Sequence, residues 1–296
     1  MSGFSTDWLA LREAADHRAR NGDVSEALQA HFALRDQLNI VDLGCGTGAN
    51  LRATAPLLPA RQSWQLIDHD AVLLDAARQE LADWADSFET TGDTLTLIKD
   101  SLTLDVRFQS VDLAKDLDIA LGDAPDLVTA SALFDLASPQ TIAKTVQAIA
   151  KRRSAFYTAL TYNGVQQWKP RHPSDNALIA AYHHHQRIDK GFGPAAGPTA
   201  AAILADRFQA SGYIVSEGSS PWVLSVPRDG PLIAALQLGY VTAVMETEKV
   251  EKPLVESWGR RELSGAIVGH TDTLAIPGQN IFMDDGDDDD DEDETG

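Results

Sequence analysis

The stretch Leu38-Asn39-Ile40-Val41-Asp42-Leu43-Gly44-Cys45-Gly46-Thr47-Gly48-Ala49-Asn50 decides the fold. A short apolar run ends in alternating glycines, and a helix-compatible segment follows. That order is the signature of a buried parallel strand turning tightly into a helix. Gly44, Gly46 and Gly48 allow positive φ and a close approach of a ligand to the backbone. The N–H groups of such a turn and the helix N-terminus then face whatever sits above the strand.

The spacing narrows the ligand. A dinucleotide fingerprint reads G-x-G-x-x-G. Here it is G-x-G-x-G, preceded by Asp42. No Gly-Lys-Ser/Thr follows, so a phosphate-binding P-loop is excluded. A glycine triplet alone fits any strand-to-helix turn, but V-D-L-G-C-G-T-G-A-N is far more specific.

This run resembles motif I of the class I S-adenosylmethionine-dependent methyltransferases. The resemblance implies a glycine turn packed on the methionine part of the cofactor, with Asp42 helping to orient it. It implies cofactor contacts at Asp42, Gly44, Cys45, Gly46 and Gly48. Downstream, residues 63–68 (S-W-Q-L-I-D) read as a second strand ending in Asp68, twenty residues after Gly48. In a βαβ unit that is where a carboxylate accepts from both ribose hydroxyls. The competing reading is a helix cap, for which Asp70 is better placed. The resemblance covers residues 38–161 well.

The implied fold is α/β: a Rossmann-like, seven-stranded methyltransferase sheet with helices on both faces. An N-terminal helical cap (1–37) precedes the methyltransferase domain (38–282). That domain carries a substrate-pocket insertion after strand 5 (162–198) and a helical insertion between strands 6 and 7 (221–269). An acidic tail (283–296) closes the chain and is expected to be disordered by self-repulsion.

Composition limits the partners. The chain has 296 residues and a net charge of −20. Ten acidic residues between Asp284 and Glu294 supply half of that charge. The remaining −10 still disfavours nucleic acid phosphates. The sequence also lacks an Asn/Asp-Pro-Pro-Tyr/Phe clamp for a flipped base and a Pro-Cys nucleophile for cytosine chemistry. No apolar run reaches membrane-spanning length. Residues 1–20 carry acids among arginines and no long apolar core, unlike a secretory or transit leader. Cys45 is the single cysteine. It cannot form an internal disulfide, which fits a cytoplasmic location, and in the turn it reads as a small residue, not a nucleophile.

The rest of the chain alternates helix and strand. Residues 6–32 read as one or two helices broken at Asn21-Gly22-Asp23, with Arg12, Arg18 and Arg20 as candidates to meet a carboxylate or, more commonly for arginine, to sit on a solvated face. Helices are predicted over 49–58, 71–84, 139–150, 175–187, 199–210, 231–247 and 252–264. Strands are predicted over 95–97, 103–111, 155–161, 212–219 and 271–277, and residues 125–134 read as the fourth parallel strand and the loop after it. The third parallel strand ends at Asp112, which in the resembled family accepts from the adenine amino group. Asp116, Asp118 and Asp123 compete for that role. By the switch-point rule Ser131, Phe134 and Asp135 line the gap between methyl donor and acceptor, Ser131 on the cofactor side.

Methyl transfer from a sulfonium is an in-line displacement in which the protein supplies alignment and desolvation. A base is needed where the acceptor is protonated at working pH. Asp135, Tyr162, His172, His184 and Lys190 are the candidate polar groups, each competing with a structural role. Tyr162 and His172, just after the fifth strand, are the choice for catalysis; Phe134, Asp135 and Lys190 for substrate. His183-His184-His185 is no metal site, because consecutive helical residues point about 100° apart. His185 shares a face with Leu178 and Tyr182.

The expected activity is methyl transfer from S-adenosylmethionine to a small-molecule acceptor, with nucleic acid and membranes not expected as partners. The competing readings are a protein or RNA methyltransferase, a catalytically silent cofactor-binding interaction protein, and a nicotinamide oxidoreductase. The glycine spacing counts against the last.

Overall fold

The computed structural model describes residues 4–189 and 193–278. Two helices open the chain, α1 (Thr6–Ala19) and α2 (Gly22–Phe32). Ser5 caps the first by accepting from Trp8 N, and Asn21 caps the second by accepting from Val24 N at 3.0 Å. The polar break in the sequence is therefore a helix start, where an amide oxygen satisfies an otherwise orphaned N–H.

From there strands and helices alternate: β1 (Gln37–Leu43), α3 (Ala49–Thr54), β2 (Arg61–Asp68) and α4 (Ala71–Trp84). Asp70 caps α4 through Val72 N at 2.9 Å. Next come β3 (Ser87–Thr91), β4 (Thr94–Lys99), β5 (Leu102–Ser110), the short α5 (Leu117–Leu121) and β6 (Leu127–Ser131). Then follow α6 (Pro139–Arg152), β7 (Ala155–Lys169), α7 (Asp175–Gln186) and α8 (Ala200–Ala210). The last part holds β8 (Tyr213–Ser219), β9 (Trp222–Ser225), α9 (Gly230–Glu246), α10 (Lys252–Gly259) and β10 (Gly265–Pro277).

One sheet holds all ten strands, in the order β3-β4-β5-β2-β1-β6-β7-β10-β8, with β9 paired to β10. The β5-β2-β1-β6-β7 centre is parallel throughout. Its order reverses between β1 and β6, the point at which a doubly wound sheet places its ligand crevice, outside the carboxyl ends of those strands. β10 runs antiparallel between β7 and β8. Two apolar layers cover the sheet. One holds Leu28, Leu51, Trp64, Leu81, Leu178 and Trp258 from helices α2, α3, α4, α7 and α10 and from β2. The other packs Ile142, Ile149, Leu204 and Phe208 of α6 and α8 on Phe156 of β7. Each fully buried Leu or Phe side chain contributes about 1.5–3 kcal/mol.

The structure corrects the sequence reading in several places. The sheet has ten strands instead of seven among the described residues, although its core is the expected one. β3 is exposed along its whole length, so it has no apolar alternation to read. The fifth parallel strand does not stop at 161; β7 runs to Lys169, so the segment 162–198 begins as strand. Its extension pairs with the first residues of β10, which begins at Gly265 and not at 271. The segment 221–269 is therefore not purely helical: it contains β9, α9, α10 and the start of β10. α10 ends at Gly259. The acidic tail 283–296 and Lys190 lie outside the described residues.

Candidate active site at the carboxyl ends of β1, β2 and β6

The glycine turn follows β1 directly. Gly44, Gly46 and Gly48 have φ of +67°, +54° and +78°, a region that costs a residue bearing a Cβ about 1–3 kcal/mol. The space is also tight. A methyl group on Gly44 would meet Leu133 Cδ1 at 3.0 Å, and one on Gly46 would meet Leu9 Cδ1 at 3.1 Å. The turn is thus flanked by the loop after β6 on one side and by α1 on the other. Cys45 is buried; burial first, then the Asp42 carboxyl, push its thiol well up, so it stays protonated.

Asp68 ends β2 and braces this turn. Its Oδ2 accepts from Gly46 N at 3.0 Å and its Oδ1 from Asp70 N at 3.0 Å. Oδ1 also lies 3.3 Å from His69 Nδ1, whereas Oδ2 keeps a second acceptor direction, which suits a ribose hydroxyl. Asp112 lies one residue beyond Val111, whose N–H bonds to the Asp68 carbonyl at 3.0 Å. It is half exposed and pairs with Lys115 at 2.7 Å. The bond from Lys115 is the main reason its pKa is lowered.

Asp42 has a different environment. It is fully buried, and its Oδ1 accepts from Asn50 Nδ2 at 2.7 Å. Its Oδ2 has no partner. Burial raises its pKa to about 7; the Asn50 bond and the Arg20 charge oppose the rise. Asn50 also bonds Thr129 of β6 and accepts from Arg20 Nη2 at 2.7 Å. Arg20 extends to Thr54 and Tyr157. Of the three N-terminal arginines, then, Arg20 reaches the turn helix. Arg12 pairs with Asp16 and Arg18 with Asp229.

α1 also clasps the turn through charge. Arg52 of α3 bonds both oxygens of Glu13, at 2.8 and 2.7 Å, and donates to the Thr47 carbonyl at 2.9 Å. A second buried acid, Asp272 of β10, holds the α1–α2 junction. It accepts from Asn21 N, Leu160 N and Ser220 Oγ at 2.9, 2.8 and 2.6 Å.

On the far side of the crevice, Ser131 closes β6 and Ala132 takes φ +51°. Phe134 is buried against Phe156, while Asp135 is half-buried. Tyr162 stands on β7 among Tyr182, His183 and His270, and its hydroxyl is 2.9 Å from His183 Nε2. Burial, Tyr182 and Asp135 hold this phenol protonated, well above its usual range.

The structure brings together Asp42, Gly44, Cys45, Gly46, Gly48, Asp68 and Asp112 around the turn, and Ser131, Asp135 and Tyr162 across from it. It does not bring His172 there. β7 runs seven residues past Tyr162, roughly 20 Å at strand rise, before the loop that holds His172. That histidine closes the start of α7, accepting from Ser174 N and donating its own N–H to Asp175. His184 is exposed, and His185 pairs with Glu246 at 2.8 Å. Sequence reasoning read His183 with His184 as on a solvated or site-facing side without choosing it, and passed over Asn50 and the Glu13–Arg52 clasp. His183 is one of three adjacent histidines, and its orientation depends on how β7 and α7 pack. Among the described residues no group of three or more His, Cys, Asp or Glu side chains could hold a metal ion, and no helix is long and apolar enough to cross a membrane.

No protein-family profile matches the chain, and no curated protein matches it. Solved structures do. The cyclopropane-fatty-acyl-phospholipid synthase-like protein of Lactobacillus casei is 17% identical, with 93% of this chain and 95% of that one covered at a TM-score of 0.52. The YcgJ protein of Bacillus subtilis is 13% identical, covering 88% and 100% at 0.50. The magnesium protoporphyrin IX methyltransferase of Synechocystis, solved with S-adenosylmethionine bound, is 11% identical, covering 93% and 86% at 0.45. With its parallel centre, its antiparallel β10 and its glycine turn after β1, the chain has the fold of the class I S-adenosylmethionine-dependent methyltransferases.

Proposed function

We propose that the protein is an S-adenosylmethionine-dependent methyltransferase acting on a small-molecule acceptor. The observation that carries this reading is the glycine turn, with three positive φ angles and Asp68 bonded to the N–H of its middle glycine. That arrangement fits the cofactor's parts. Gly44 and Gly46 leave their backbone partly open, and Asp68 Oδ2, which accepts from Gly46 N and keeps a second acceptor direction, suits a ribose hydroxyl. Asp112, at the edge of the same crevice, suits an amino donor. Asp42 has a buried oxygen without a partner, which suits a nearby cationic group.

When bound, the cofactor supplies the electrophilic methyl group. The chain's own residues hold and orient it, exclude water and shape the acceptor's approach. Asp68, Asp42 and the turn would anchor the donor. Phe134, Asp135 and Tyr162 would line the acceptor side, with the Ser131 backbone between the two. The acidic surface favours a neutral or cationic acceptor over nucleic acid. The single cysteine fits a reducing compartment, and we take the location to be the cytoplasm.

The test is calorimetric titration with S-adenosylhomocysteine, with NADH as comparison. Micromolar binding, about −8 kcal/mol, with none for NADH, is the expected result. In Asp68→Asn, which keeps an acceptor for Gly46 N, affinity should fall at least tenfold. A folded wild-type protein that binds neither ligand would refute the reading. Binding of the homocysteine product without methyl transfer to any acceptor would favour a silent cofactor-binding protein.

A further inference from the structure

We infer that Tyr162 and His183 form the proton-accepting pair on the acceptor side of the site, so that the acceptor is a nucleophile carrying a proton it must lose. This rests on the methyltransferase reading and deepens it.

A continuous line of contacts leads from the turn to the pair. Gly44 abuts Leu133 in the loop after β6. Two residues on, the Asp135 carboxylate is close enough to act on both Tyr162 and Tyr182. Tyr162 Oη then lies 2.9 Å from His183 Nε2. The pair therefore lies on the β6–β7 side of the glycine turn, the side proposed for the methyl acceptor.

His183 Nε2 faces the phenol at 2.9 Å. The Gly164 backbone lies beside the ring: Gly164 has φ +90°, and its Cβ position would lie 3.7 Å from His183 Cε1. With the ring proton on Nδ1, the Nε2 lone pair accepts from Tyr162 O–H, and a histidine hydrogen-bonded to a hydroxyl is the usual construction for proton transfer. Half-burial, then Arg187, lower the His183 pKa, and the Gly164 bond opposes this. The ring is thus neutral at neutral pH. The groups facing the pair are Asp135 from the loop after β6, Tyr182 and Arg187 on or beside α7, and His270 on β10.

The lone pair of an N–H, O–H or S–H acceptor forms the new bond to the methyl carbon. The sulfur–carbon bond breaks, and its electron pair stays on sulfur. The acceptor's proton goes to Tyr162 Oη as the phenol proton passes to His183 Nε2.

S-adenosylmethionine and S-adenosylhomocysteine differ by a methyl group and one positive charge on sulfur, so they test the placement without a known acceptor. The probe is NMR titration of the histidine rings in the full chain with each ligand in turn. Replacing the homocysteine form by the sulfonium should lower the His183 pKa by roughly 0.5–1 unit, with the exposed His184 unmoved. Tyr162→Phe should raise the His183 pKa and leave homocysteine affinity unchanged. Binding of both ligands with an unmoved His183 would overturn the inference alone. Absence of binding heat for either would overturn the parent reading with it. With whichever of a primary amine, a phenol and a thiol the wild type methylates, His183→Gln should lose about 10²–10⁴-fold in rate and its rate should keep rising with pH. An unchanged rate and pH profile would overturn the proton-accepting role.

Discussion

Two buried residues of the site titrate against each other. Burial raises the Asp42 pKa to about 7 in the folded chain, against 3.8 for a free aspartate. Between pH 4 and 7 the unfolded chain has therefore lost a proton that the folded chain keeps, so this residue makes stability fall as pH rises. His270 behaves oppositely. Burial, then Arg12, lower its pKa to about 3. Below pH 6.5 the unfolded chain takes up a proton that the folded chain refuses, so stability rises with pH through that window. Asp272, with its pKa raised by burial, adds to the Asp42 side. Asp42→Asn keeps an acceptor for Asn50 and removes the charge. It should raise unfolding free energy at pH 8 by roughly 2–4 kcal/mol and steepen the rise of stability between pH 4 and 6.5, as read by urea titrations at several pH values. S-adenosylhomocysteine affinity should fall in the same variant, because the buried oxygen without a partner loses its negative charge. Higher stability with unchanged affinity would remove Asp42 from the site. Gly46→Ala tests the turn itself: positive φ and the 3.1 Å approach of Leu9 Cδ1 should together cost about 1–3 kcal/mol and abolish ligand binding.

At the scale of elements, α1 is held to the glycine turn by a few identifiable contacts. Glu13 meets Arg52 through two hydrogen bonds with little exposure of the arginine, and Leu9 stands over Gly46. Displacement of that leucine is the local movement that would open the turn. Glu13→Gln should weaken the clasp by about 1 kcal/mol. Amides of α1 should then exchange faster by mass spectrometry, and S-adenosylhomocysteine should associate faster, while β1 and β6 stay protected. Uniform exchange across the chain would mean that α1 is no gate. The readable parts of the fold follow from the same local physics. Glycines after an apolar run announce β1 and its turn, and Asp70 announces the start of α4. β3 lacked a buried face, and the extension of β7 past 161 turns polar and alternates only weakly. β10 pairs with β7, β8 and β9, all remote from it in sequence, so its start at Gly265 is set by partners that no local pattern reveals. The site was legible where backbone shape demands glycine or a strand ends in a carboxylate. It was illegible where one of three adjacent histidines had to be chosen, and His172 shows the cost of reading proximity from sequence order.

For the whole molecule, topology sets the location of chemistry and charge sets its company. The order reversal between β1 and β6 puts the crevice beside the glycine turn, and α1, α7 and the loop after β6 wall it from outside. The whole chain carries 44 acidic against 24 basic side chains, so like charges repel more in the folded chain than in the expanded one. Salt screens that repulsion within about 10 Å at 0.1 M. Raising NaCl from 10 to 150 mM (~0.01 to ~0.15 M ionic strength) should therefore raise the thermal midpoint of the full chain by a few degrees. A chain ending at residue 282 lacks ten acidic residues and carries −10 instead of −20. If the terminal acids act through this general field, the truncated chain should start with a higher midpoint at low salt and gain about half as much from added salt. If they instead bind a basic part of this chain, truncation should lower the midpoint at low salt, because a favourable contact is lost, and the two chains should converge at high salt. Scanning calorimetry of both chains at the two salt concentrations separates these cases by the sign of the difference at 10 mM (~0.01 M).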